Sequence, residues 1–408
     1  MHLDYPYPLH LTYCTNIHAA HGWREVFVKL QQHALPLKQR ISPDKSFGLG
    51  LRLSADECEE LLQPSNLESF KNWLEENGLY VFTLNGFPYS SFHGDTVKDQ
   101  VHAPDWQTQE RLDYTINMAN LLVQLVPPEL KEAGISTSPL SYKAWCNPQD
   151  EILWNRFVDQ YVALTTHLIQ LENQTGTAIH IDIEPEPDGM LETSDELVTF
   201  FRDWLLPIGS QQISESLGCS REKARTHLLH HIRVCYDTCH VGVAYENAST
   251  ILGSYRELGI QVGKVQVSSA LKVEFSSENY QTVLEQLSPF VESTYLHQVV
   301  EKTQSGSIIQ HPDLPDAIEA FDASRVREWR IHFHVPIFLD TFGNLGSTQD
   351  DILSLFRVLP QHPAGIHFEI ETYTWDVLPE PLKQPLTESI AREYEWVLQA
   401  LSNTKTEE

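Results

Sequence analysis

Four short segments carry the side chains best suited to metal and proton chemistry. IDIEPEPDG (181–189) places Glu184 and Glu186 at the end of an apolar run, and CYDTCH (235–240) sets Asp237 three residues before His240. HFHVP (332–336) offers His332 and His334, and HFEIETYTW (367–375) offers Glu369 and Glu371. Carboxylate oxygens and imidazole nitrogens together suit Mn²⁺, Zn²⁺, Co²⁺ or Mg²⁺. Two carboxylates across a metal-bound substrate can remove and return a proton at adjacent faces of a carbon. On this reading Glu184 and Glu369 are the catalytic pair. The ion is held by Glu184, Asp237 and Glu369, with His334 or Gln266 completing the set. A plainer role stands beside each: Glu184 as a structural carboxylate, at least one of Gln266, His332 and His334 merely bonded to a ligand, and Glu371 in a lumen ion pair with Arg52 or Lys264.

A second group is expected to touch substrate. The segment 85–106, NGFPYSSFHGDTVKDQVHAPDW, holds Asn85, His93, Asp95, Lys98, His102 and Trp106. Aromatic faces pack against sugar rings, while carboxylates and amines bond hydroxyls. Its aromatic residues would be costly to expose together and its charges costly to bury unpaired, so a pocket wall is expected. His18 in NIHAAHGW, His240, Lys264 and Glu371 join this group. No P-loop, G-x-G-x-x-G, G-x-S-x-G or H-E-x-x-H motif is present, so those mechanisms have no support.

Positioning these groups requires strands. Nine strand-like runs alternate with helical patterns: 9–17, 47–54, 78–86, 134–140, 178–186, 232–240, 262–270, 329–338 and 365–375. Strand–helix alternation means parallel strands with right-handed crossovers. Repeated about eight times, it predicts a TIM (β/α)8 barrel. Within the runs, His180, Asp182 and Glu184 share one face, as do Lys264 and Gln266, and His367, Glu369 and Glu371; the apolar residues share the other. Helices covering a parallel sheet force the polar face inward, and the polar residues gather at C-terminal strand ends, where barrel enzymes keep their chemistry. Nine runs are one too many. The segment 271–328 is long for a strand-to-helix connection and reads as an insertion over the barrel mouth.

Composition bounds the rest. The chain has 408 residues, 41% of them hydrophobic, and no linker-like stretch; one elaborated domain over 1–402 with a polar tail 403–408 is expected. The formal charge of −28 repels phosphate backbones, so nucleic acid is not an expected partner. No run suggests a membrane span or a signal peptide, and six scattered cysteines fit reduced thiols in the cytoplasm.

The segments LTYCTNIHAAHGW, FGLGLRLS, YVFTLNGFPYSSFHGDTVKDQVHAPDW, IEPEPDG, CYDTCH and HFEIETYTWDVLP resemble the bacterial metabolite traffic protein EboE family, across nearly the whole chain. That resemblance implies a xylose-isomerase-like TIM barrel, a gene cluster that moves a secondary-metabolite precursor, and other proteins of that cluster as partners. The wider superfamily includes metal-dependent sugar isomerases, ketose epimerases and an endonuclease. Its epimerases carry a strand-end Glu, then D-x-x-H, then a His, then a final Glu. Glu184 matches the first, Asp237 with His240 the second, and Glu369 or Glu371 the last. The departure is Gln266, which stands where a His is usual. The resemblance implies a metal-dependent isomerase or epimerase acting on a sugar-like or polar metabolite; a metabolite-binding carrier without catalysis is the alternative.

Overall fold

The computed structural model describes residues 1–90, 98–276, 278–292, 294–361, 365–375, 378, 380 and 383–404. Its centre is a barrel of parallel strands: Leu9–Tyr13, Phe47–Arg52, Leu79–Asn85, Glu132–Thr137, Ala178–Ile183, Ile232–Asp237, Val262–Val267 and His367–Ile370. From the second strand on, each pairs in parallel with the next around the sheet, and the last pairs with the first. A parallel Cys14–Gly50 bridge links the first strand to the second, so the sheet nearly closes on itself. Helices such as Trp23–Ile41, Gln109–Leu125, Glu151–Thr175 and Ala248–Leu258 cover the outside and bury their apolar stripes against the strands.

Eight of the nine candidate strands form this barrel. The ninth, 329–338, does not. It overlaps Val326–His334, which lies in a second, antiparallel sheet with Ile308–His311, Val299–Thr303, Ala270–Glu274, Leu345–Ser347 and Thr341–Phe342. The insertion therefore runs past 328, to about 347. Period-two alternation is the same in both kinds of sheet, which is why the pattern Ile331, Phe333, Val335 against His332 and His334 did not separate them. Pairing of this strand with Ala270–Glu274 breaks register between Ile331 and His334. Such a bulge re-aims side chains, and it falls on the two histidines.

Polar residues fill the barrel lumen. Two glycines make room for them: a Cβ at Gly50 would lie 1.7 Å from Glu369 Oε1, and one at Gly263 would lie 2.0 Å from Asp182 Oδ1. Asp182 Oδ1 is 2.6 Å from His180 Nδ1. Lys264 and Glu369 form an ion pair with both side chains fully buried. Burial works against a charged Lys264 amine, but Glu369 first, with Cys235 and Cys14, together outweigh it and hold the proton on.

The terminal helix Leu386–Asn403 ties the insertion to the barrel wall. Its buried Glu393 accepts from Thr372 Oγ1 at 2.6 Å and from Ile337 N at 3.3 Å. Burial pushes this carboxyl up to about 8 from 4.5, the two hydrogen bonds opposing. The folded chain thus holds a proton that the unfolded chain releases, and the stability this gives is complete below pH 4.5 and lost as pH rises to about 8. Glu393→Gln is expected to remove up to about 1.4 kcal/mol per pH unit of slope in that window. Urea unfolding of both forms across it checks this; equal slopes would overturn it.

Candidate active site and metal centre

A narrow cleft opens at the C-terminal ends of the strands. Glu184, Asn85, Glu371 and Tyr373 come from the barrel side, and His332, His334, Gln298 and Tyr295 from the insertion. Asp237 closes the sixth strand and caps the helix Thr238–Val243. Its Oδ1 accepts from Cys239 N at 2.7 Å, His240 N at 3.1 Å and Ser268 Oγ at 2.6 Å. That carboxylate is fixed from one side, and its Oδ2, buried, has no hydrogen-bond partner.

Glu184 Oε2 and His334 Nε2 are also buried without a hydrogen-bond partner among the described residues. His334 Nδ1 lies 2.6 Å from Glu371 O, a carbonyl that can only accept, so the ring hydrogen sits there and Nε2 presents a lone pair. By the same argument His240, whose Nδ1 is 2.8 Å from Pro185 O, presents Nε2, which lies 3.1 Å from His332 Nε2. His332 in its Nε2–H tautomer can donate to that lone pair. Glu371 Oε1 accepts from Asn16 and Asn85, each at 2.9 Å. Ligand atoms of Glu184, Asp237 and Glu371 lie within 4.8 Å of one another, as do those of Asp237, His240 and His334, and of Cys239, His332 and His334.

The electrostatics follow from crowding without water. Burial first, then the Glu371 and Asp237 charges, raise Glu184 well above the ordinary carboxyl range. Burial, Asp237 and Glu369 do the same to Glu371. Burial drives His334 down to about 4. Three acids and neutral imidazoles converging on one space are a donor set for a divalent cation, whose charge would relieve the repulsion.

No family model matches the chain, and no curated protein matches it in sequence. Among solved structures, a D-tagatose 3-epimerase-like protein superposes with a TM-score of 0.50 over 98% of this chain and 99% of its own, at 9% identity. The chain shares the TIM-barrel fold of that protein. The IOLI protein "with a binding zinc atom" aligns at 12% identity over 97% of this chain and 99% of its own, TM-score 0.47. A xylose isomerase domain protein from Alicyclobacillus acidocaldarius subsp. acidocaldarius aligns at 11% over 97% and 99%, TM-score 0.44. At such identities the likeness speaks for fold, and the fold rests on the first.

Within this TIM barrel, Glu184, Asp237, His334, His240, Asn85 and Glu371 come together at the mouth, and Lys98 and His102 line the cleft. Lys98 pairs with Asp313 of the insertion at 3.4 Å, and His102 Nε2 is 3.2 Å from Glu186 Oε1. Five expected positions need correcting. Glu369 lies one inward step deeper than Glu371, against Lys264, so the acid in the mouth cluster is Glu371. Lys264 is committed to that lumen pair and does not face the cleft. Gln266 is fully buried beside it in register, with neither amide atom hydrogen-bonded, and is outside the mouth cluster. Trp106 is core: it donates to Thr137 Oγ1 at 3.1 Å and stacks on Tyr161 at 4.5 Å. His18 bonds Tyr13, stacks on His33 at 4.4 Å and borders a separate small pocket beside Arg52 and Glu57. His93 and Asp95 lie outside the described residues. The segment 85–106 does contribute Phe87, Pro88, Lys98, Val101 and His102 to the cleft wall. Sequence reasoning passed over Asn16, Gln298, Tyr295 and Tyr373; Asn16 and Tyr373 sit directly beside strand ends that had been singled out, and that proximity was the available signal. No described helix is long and apolar enough to cross a membrane.

Proposed function

We propose that the chain is a divalent-metal-dependent isomerase or epimerase acting on a sugar-like or polar metabolite. One observation carries this reading: three buried ligand atoms, Glu184 Oε2, Asp237 Oδ2 and His334 Nε2, lack hydrogen-bond partners in the mouth cluster. Unpaired buried acceptors cost roughly 1–3 kcal/mol each, so such a group is retained where a cation satisfies it. Glu184, Asp237, His334 and Glu371 are the proposed ligands, with His334 standing in for Gln266. The ion would polarise the substrate's oxygens and bring its carbon acid within reach of a base.

The chain's own part is proton handling. Glu184 and Glu371 are the proposed acid–base pair, and their raised affinity for protons suits groups that take one from carbon and return it. Asn16 and Asn85 fix the Glu371 carboxylate from behind. Tyr295 and Tyr373, in contact with each other, supply the apolar wall that keeps water from the reacting carbon. The resemblance to the EboE family supports a secondary-metabolite precursor as substrate and proteins of the same gene cluster as partners, with the metal identity open among Mn²⁺, Zn²⁺, Co²⁺ and Mg²⁺. A carrier that binds the same metabolite without catalysis is the second reading.

Solvent deuterium exchange separates the two. Protein reloaded with Mn²⁺ or Co²⁺ and incubated with a panel of free ketoses in D₂O is expected to label the carbon beside the carbonyl. Glu371→Gln should abolish labelling while leaving ketose binding within several-fold. Binding without labelling in the native protein would favour the carrier, and labelling that survives Glu371→Gln would remove that residue from the chemistry.

A further inference from the structure

A second group of ligand atoms lies at the other end of the barrel. Glu172 is in the last turn of the helix Glu151–Thr175, and His230 and His231 end the helix Arg221–His231. These helices run into the fifth and sixth barrel strands, so the group sits at the N-terminal ends of those strands, opposite the cleft. The Glu172 carboxylate is bracketed by two imidazoles: Oε1 is 3.3 Å from His230 Nε2 and Oε2 is 3.4 Å from His231 Nε2.

His231 decides how to read this. Its ring is fully buried, and its Nδ1 lies 2.8 Å from Ile179 O. A carbonyl only accepts, so Nδ1 carries the hydrogen and Nε2 of the neutral ring is a bare lone pair. That lone pair has no hydrogen-bond partner and faces an anionic oxygen. The contact is repulsive unless a cation lies in it. A shared proton would draw the atoms to about 2.7–2.9 Å, the length of a charge-assisted hydrogen bond. The observed separations are longer. The His230 contact with Oε1 is long enough for a weak hydrogen bond, the His231 contact with Oε2 forms none, and one ligand atom from each of the three residues lies within 4.8 Å of the others, close enough to close on one ion with bonds of about 2.0–2.1 Å after a small adjustment. The two rings meet edge to face at 4.7 Å, so both Nε2 atoms can turn toward one point. Both helices present their C-terminal, negative ends here, which further favours a cation.

We propose that Glu172, His230 and His231 bind a divalent transition-metal ion, Zn²⁺ by ligand type, as a structural clip between two barrel helices. His227, one turn earlier on the same helix face, or a water completes the tetrahedron. The site is independent of any chemistry in the cleft.

The test is a zinc count on full-length protein stripped with chelator, dialysed against ZnCl₂ and assayed by elemental analysis, together with melting curves. Glu172→Gln and His230→Ala, both at partly exposed positions, are each expected to hold one zinc equivalent less than the native chain. They should also lose a zinc-dependent rise of several degrees in melting temperature. Asp237→Asn, which alters only the mouth, should keep that rise. The difference of one equivalent is expected whatever the mouth holds, so failure of the cleft assignment leaves this result readable. Equal zinc content and equal zinc-dependent melting in native, Glu172→Gln and His230→Ala proteins would overturn the proposal.

Discussion

Asp237→Asn is expected to weaken divalent-metal binding at the mouth by more than about 100-fold, beyond the 10–100-fold that the loss of a mere ligand-supporting group costs. The reason lies in how Asp237 is held. Its Oδ1 is occupied by Cys239 N, His240 N and Ser268 Oγ, so an asparagine must keep its carbonyl oxygen there. The amide nitrogen then points where Oδ2 now lies, next to Glu184, Glu371 and His334, and a nitrogen bearing two hydrogens is not a ligand. The same substitution relieves repulsion among three buried acids, so the metal-free variant should melt no lower than metal-free native protein. Calorimetric titration with Mn²⁺ or Zn²⁺, paired with melting curves of the stripped proteins, reads both effects. Native-like affinity in the variant would refute the mouth assignment, and a much lower melting temperature without metal would show that Asp237 is chiefly a helix cap.

The second large effect is in the lumen. Lys264→Met is expected to cost about 3–5 kcal/mol, because Glu369 is left as an uncompensated charge in a fully buried place. Lys264 also lies 3.3 Å from Ser136 Oγ, so a further partner is stranded. The double variant Lys264→Met, Glu369→Gln should recover most of that loss, since removing both charges removes the penalty. Urea midpoints of the single and double variants give the coupling directly. A single variant within about 1 kcal/mol of native, the ordinary scatter of point substitutions, would mean that water or another cation neutralises Glu369.

The barrel was legible because its strands announce themselves twice. Alternation put His180, Asp182 and Glu184 on one face, and the intervening helices required that face to be the lumen. Depth along the lumen was not legible. Glu369 and Glu371 have the same parity and differ by one inward step, and only the packing of Glu369 against Gly50 and Lys264 tells them apart. The position of His334 was beyond reach for a different reason: it arrives from an antiparallel sheet whose pairing with Ala270–Glu274 is non-local. Trp106 was misplaced because an aromatic side chain in a polar segment looks like a pocket wall, whereas its indole found Thr137 and Tyr161 inside.

The mouth cluster joins two sheets. Asp237, Glu184 and Glu371 are fixed to the barrel, whereas His334 belongs to the sheet laid over it. The proposed ion, shared by all of them, would therefore be a rivet between roof and wall. Detachment of the roof would have to break its bond to His334 as well as the apolar contacts beneath. By linkage, whatever free energy the ion contributes to keeping the roof down, the seated roof contributes in equal measure to keeping the ion in. Were the proposed ion bound, affinity at the centre and opening of the entrance would form a single equilibrium, and a change in the seam between the two sheets, remote from every proposed ligand, would alter how long the ion stays.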